Sequence, residues 1–154
     1  MGFFSNIVNK IPFVRGNVSQ EASQTNNVEK QYNKAKELIE HGISEEAIKA
    51  LNQIADIGMM ESQYQQYGCE SLKILGEVYE TGKYSNIKAK VDREKAAYYY
   101  EKYIKFVEDG NLLYKLGLLM LDIQNFSKAI TYLEKAAGQN ISQAYMRLGD
   151  IYEN

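Results

Sequence analysis

The sequence predicts an all-α protein built of helical hairpins stacked side by side, and three observations predict it. The chain has 154 residues with a single proline, Pro12, and its eleven glycines sit singly, so little interrupts helix formation. The pair Leu75-Gly76 returns as Leu116-Gly117 and Leu148-Gly149, at spacings of 41 and 32, and a large side chain stands three residues after each glycine: Tyr79, Met120 and Tyr152. A second marker, Lys95-Ala96 followed by Tyr99, Tyr100, Glu101 and Lys102, becomes Lys128-Ala129 followed by Tyr132, Leu133, Glu134 and Lys135, at a spacing of 33. The difference between 41 and 33 is eight residues, which places an insertion around Lys83 to Val91. A fainter first copy has Ala35 and Leu38, then Ala47 and Leu51.

The elements follow in order. Residues 1–15 form an N-terminal segment whose Phe3, Phe4, Ile7, Val8 and Ile11 share one helical face, with Ser5, Asn6, Asn9 and Lys10 opposite and Pro12 ending the run. Residues 16–27 hold only Val18 and Ala22 as apolar side chains, too few to offset the entropy of ordering, and read as a flexible linker. The body, 28–154, begins with Asn27 placed to cap its first helix. Seven helices are expected near 28–41, 45–57, 60–81, 92–108, 111–122, 126–137 and 141–153. Gly42, Gly58, Gly82, Gly110 and Gly138 fall where helices should stop, and Ser44, Asp92, Asn125 and Asn140 where the next should be capped. The small residues Gly76, Ala96, Gly117, Ala129, Ala136 and Gly149 remove bulk where a neighbouring helix must approach. Tyr79, Tyr100, Leu133 and Tyr152 fill the space beside them. Each hairpin can bury its apolar face only against the next.

Composition narrows the chemistry. Lys plus Arg 18 against Asp plus Glu 20 leaves −2, which argues against a nucleic-acid binder. One His and one Cys exclude a His/Cys metal cage, a disulfide scaffold and a multi-histidine centre; no cofactor is expected. No stretch approaches the ~20 apolar residues of a membrane span, and the opening segment lacks the basic start of a secretory signal. A cytoplasmic location is expected, where Cys69 stays reduced.

Leu116-Gly117, Phe126, Ala129, Leu133 and Ala136 match the tetratricopeptide pattern over one unit. The stretch from Ala136 to Asn154, AAGQNISQAYMRLGDIYEN, is similar to the Sel-one-like variant of that family, as are LGEVYETG and VDREKAAYYY. The resemblance covers 28–154 and implies an α-solenoid of about three and a half helix-turn-helix repeats, an adaptor or scaffold that binds a protein segment without catalysis. It implies a bacterial regulatory or secretion-associated setting. The sequence departs from the family at Met120, where an aromatic is usual, and through the insertion. The match stops at Asn154, where the family pattern continues, so the last helix is expected either to be a solitary cap or to open a further pair.

One face of each first helix in a stacked hairpin should line a concave surface. The positions two before, two after and five after the marker place, held by Leu75, Leu116 and Leu148 and in the faint first copy by Lys34, give Tyr32, Lys36 and Ile39; Lys73, Glu77 and Glu80; Tyr114, Leu118 and Leu121; Met146, Asp150 and Glu153. The apolar set Tyr114, Leu118 and Leu121 is the expected anchor for a peptide, oriented by charges at Lys36, Lys73, Glu77, Arg147 and Asp150. The N-terminal segment is the second candidate: it could dock on a partner, on this protein itself or on a membrane surface, the last giving the alternative of a peripheral membrane accessory protein. Lys83, Lys88, Lys90, Arg93 and Lys95 make a basic patch that reads as a solvated loop. The thirteen tyrosines mostly occupy packing positions, and GEVYETGK, residues 76–83, departs from a phosphate loop in spacing and in lacking a strand. His41 beside Gly42 reads as a helix C-terminal cap and Cys69 as a small buried hydrophobe.

Overall fold

In a computed structural model, the chain is described at residues 18–42, 45–82 and 91–153, with side chains from residue 26 onward. Among the described residues there are seven α-helices and no strand: α1 Val18–Glu40, α2 Glu45–Met60, α3 Gln65–Thr81, α4 Arg93–Tyr103, α5 Gly110–Asp122, α6 Phe126–Gly138 and α7 Ser142–Glu153. A 3-10 turn, Ser62–Tyr64, separates α2 from α3. The helices pack in sequence-adjacent pairs, as the alternation of apolar stripes and caps predicts. Two compact units divide inside α3, one drawn from residues up to Leu72 and the other beginning at Lys73.

In the first unit, Val28, Tyr32, Ala35 and Ile39 step along one face of α1 and are buried with Ala47, Leu51 and Ile54 of α2. α1 begins at Val18, so residues 18–27, expected as linker, are helical. Once the Val28–Ile39 face fixes the helix, extending it over Gln20, Glu21, Ala22 and Gln24 costs little, because propagation adds one hydrogen bond per residue ordered and these residues favour helix. The end is as expected: Gly42 takes φ 77°, and His41 Nδ1 lies 2.7 Å from the Glu37 carbonyl, which also accepts from the His41 backbone N–H in the last turn. Gly58 does not stop a helix. It lies inside α2, where a Cβ would stand 2.5 Å from Gly68 Cα and 2.8 Å from the Tyr64 carbonyl oxygen. The chain here needs two glycines because backbone meets backbone.

In the second unit the repeat markers meet in register. A Cβ on Gly76 would collide with the edge of the Tyr100 ring, and one on Gly117 would stand 2.6 Å from Leu133 Cγ. Tyr100 and Leu133 are equivalent residues, 33 apart. The two glycine-to-bulky separations, 24 and 16, differ by the eight inserted residues. Tyr100, Leu116 and Leu133 are fully buried, each aliphatic side chain contributing about 1.5–3 kcal/mol of transfer free energy.

The insertion, most of which lies outside the described residues, is pinned at its base: the Asp92 N–H donates to the Tyr79 carbonyl at 2.8 Å, and the Tyr79 ring stacks on Tyr99 at 5.7 Å. Asp92 and Asn125 cap α4 and α6, accepting from the N–H groups of Lys95 and Lys128. Asp109 does the same for α5, a cap not anticipated from the sequence. Asn140 is not a cap; it takes φ 63° in the turn before α7. Ser44 lies outside the described residues.

A second repeated contact runs from tyrosine to glutamate. Tyr100 donates to Glu80 Oε2 at 2.7 Å, Tyr132 to Glu101 Oε1 at 2.7 Å, and Tyr152 to Glu134 Oε1 at 3.3 Å. Burial first, and these carboxylates second, push the hydroxyls of Tyr100 and Tyr132 above the ordinary tyrosine range.

Candidate functional site

The expected peptide row divides when its residues are placed. Tyr32 is 5% exposed, with its ring 5.6 Å from that of Tyr67; it is a core residue and offers a partner nothing. Ile39 is buried likewise. This corrects the sequence reading: in the first unit the face assigned to solvent is the one that α1 packs inward. Lys36 stays exposed, 5.3 Å over the Tyr32 ring.

In the second unit the row is partly free. Lys73 is half exposed, 3.8 Å from Asp109 and 5.8 Å over the Tyr103 ring. Glu77 is partly exposed, whereas Glu80 is held internally by Tyr100 and by Lys115 Nζ at 3.1 Å. Tyr114, Leu118 and Leu121 are all half-buried. Tyr114 and Leu121 pack against the cluster of Leu113, Leu133, Ala136, Ala137 and Ala144, while Leu118 is not part of it. On α7, Met146 is 72% exposed, and Arg147 and Asp150 form an exposed pair at 3.5 Å.

The open side of α7 follows from the same register. Tyr145, Gly149 and Tyr152 stand where Leu113, Gly117 and Met120 stand on α5, 32 residues earlier. The α5 residues are buried; Tyr145 and Tyr152 are exposed, and a Cβ on Gly149 would meet nothing within 4 Å.

The second candidate, the helix of Phe3, Phe4, Ile7, Val8 and Ile11, lies outside the described residues, as do Lys83, Lys88 and Lys90 of the basic patch. The patch's other cations are engaged, Arg93 with Asp122 at 3.0 Å and Lys95 with Asp92 at 3.7 Å.

A cleft of about 570 Å³ that the sequence reading missed lies between α4 and α6. Its walls are Tyr98, Lys102, Ile104 and Lys105 on one side, Lys128, Tyr132 and Lys135 on the other, with Glu101 among them. Glu101 Oε1 accepts from both Lys128 Nζ and the Tyr132 hydroxyl, each at 2.7 Å, which ties the two helices together. Lys102 sits one turn after Tyr98, its Nζ 4.6 Å over that ring. The signal was present: Lys102 and Lys135 are 33 apart, the repeat spacing, but served only as repeat markers.

The single cysteine and the single histidine are both engaged by the fold. Cys69 is buried, and burial followed by the nearby Glu70 carboxylate pushes its thiol above the usual range, away from the reactive thiolate. His41 serves its helix end. No helix among the described residues is long and apolar enough to cross a membrane. No family model matches the chain, and neither a curated protein nor a solved structure matches it.

Proposed function

We propose that this chain is a non-catalytic, cytoplasmic protein-interaction module of the tetratricopeptide kind, an α-solenoid adaptor that holds a segment of another protein along the first helices of its hairpins. The observation that carries the reading is the recurrence of one packing unit in register: Gly76 against Tyr100 and Gly117 against Leu133. Such an array spends its small and bulky residues on stacking and leaves a row of first-helix residues to meet a partner. In the second unit that row is Lys73, Glu77, Tyr114, Leu118 and Leu121, continued on α7 by Met146, Arg147 and Asp150. Leu118 is its anchor, since it is half-buried without belonging to the core cluster that holds Tyr114 and Leu121. The absence of a catalytic role is supported by the engagement of His41 in a helix end and by the burial of Cys69.

The test is Leu118→Asp. Proteins captured from the native cell by the parent chain are compared with those captured by the variant, with thermal unfolding measured beside them. The expected result is loss of specific partners with an unfolding temperature within about 4 °C of the parent, a change of at most ~1 kcal/mol. Equal loss of stability and binding would make Leu118 a core residue and remove the anchor.

A further inference from the structure

The distribution of ion pairs in the second unit is uneven. Lys73, Arg93, Lys95, Lys115, Lys128 and Arg147 each have a carboxylate within 4.0 Å. Among the described residues of this unit, three cations have no carboxylate partner: Lys102, Lys105 and Lys135. All three line the same cleft between α4 and α6. The one carboxylate there, Glu101, is already taken by Lys128 and Tyr132. Three uncompensated like charges around one concavity repel each other at a cost that an anionic occupant would offset.

We propose that this cleft binds an acidic segment of a partner protein, carboxylate side chains meeting Lys102, Lys105 and Lys135 and an apolar side chain lying against Ile104 and the exposed ring of Tyr98. The chemistry favours carboxylates over phosphates. Phosphate sites draw on backbone N–H groups at helix N-termini and on the planar fork of arginine. Here Lys102 and Lys135 stand in the last turns of their helices and no arginine lines the walls. Separate, flexible ammonium groups suit charges spread along a chain. The volume, about 570 Å³, accommodates a few side chains, and Tyr98, at 51% exposure, supplies an apolar wall that a purely ionic site would not need. The cleft is lined by α4, the two residues that follow it and α6, whereas the row in the proposed groove lies on α3, α5 and α7, so the two surfaces fail or stand separately.

The test uses the full chain and three labelled peptides: one alternating glutamate with leucine, its glutamine counterpart, and one carrying phosphoserine in place of glutamate. Binding is followed by fluorescence anisotropy at low and high salt. The glutamate peptide is expected to bind about tenfold tighter than the glutamine peptide and to weaken steeply with salt. Lys105→Gln with Lys135→Gln should cost about tenfold, while Arg93→Gln with Lys95→Gln, the same change in net charge outside the cleft, should cost less than about twofold. All four positions are exposed, so both double variants should unfold at the parent temperature. Three results overturn the proposal: no preference for glutamate over glutamine, equal loss from both double variants, or a phosphoserine peptide bound tenfold tighter than the glutamate one.

Discussion

The two units use glycine differently. In the first, Gly58 and Gly68 face each other and each side chain position is occupied by the other's backbone. In the second, Gly76 and Gly117 face the ring of Tyr100 and the branched end of Leu133. Backbone cannot turn aside, whereas a side chain can rotate or shift by a few tenths of an ångström. The same residue type therefore marks a rigid crossing in one unit and a fitted socket in the other, and Gly149 shows the third case, a socket with nothing in it.

Substitution separates these cases. Gly58→Ala should lose about 3 kcal/mol in urea unfolding, because overpacking against backbone outweighs the ~1 kcal/mol gained in helix propensity. A loss under about 1 kcal/mol would show that the crossing can open. Gly117→Ala should lose less, about 1–2 kcal/mol, since Leu133 can yield part of the space. If both variants cost the same, the distinction between crossing and socket disappears.

Tyr100→Phe probes the filling of a socket. It should cost about 1 kcal/mol at neutral pH by removing the bond to Glu80. The parent should also show a dependence on pH. Because the folded hydroxyl is held above its ordinary value of 10.0, the unfolded chain ionises first; stability is fully present below that pH and declines above it. The variant should decline less steeply between pH 10 and 11, as read from urea midpoints; parallel curves would mean that Tyr100 is not the group responsible. The smallest effect has the opposite sign. Gly149→Ala should gain about 0.5–1 kcal/mol, since propensity improves and a methyl group meets nothing; a loss would place an unseen neighbour on that face of α7.

Much of the fold was legible because helix ends and sockets are encoded locally. Gly42, Gly82, Asp92 and Asn125 do what their residue types suggest, and the offset of eight residues was readable from spacing alone. Gly58 was misread because a mid-helix crossing and a helix stop call for the same residue, and only the position of Gly68, ten residues on, tells them apart. Residues 18–27 were misread because composition measures the burial a segment achieves alone, not the helix a neighbouring face imposes on it. Tyr32 failed for a related reason: extending the register to the faintest repeat copy placed a core position on the open side. The cleft was hidden for another cause. Unpaired charge is a property of where carboxylates end up, and Lys102 and Lys135 look in sequence like the paired Lys95 and Lys128.

The clasp between the Asp92 N–H and the Tyr79 carbonyl has an engineering consequence. It joins the start of α4 to the end of α3 on either side of residues 83–91, close to where Gly76 meets Tyr100. Lengthening such a detour raises its closure cost only logarithmically, about 0.6 kcal/mol for each doubling. A tag spliced between Gly82 and Val91 is therefore expected to leave Gly76 against Tyr100.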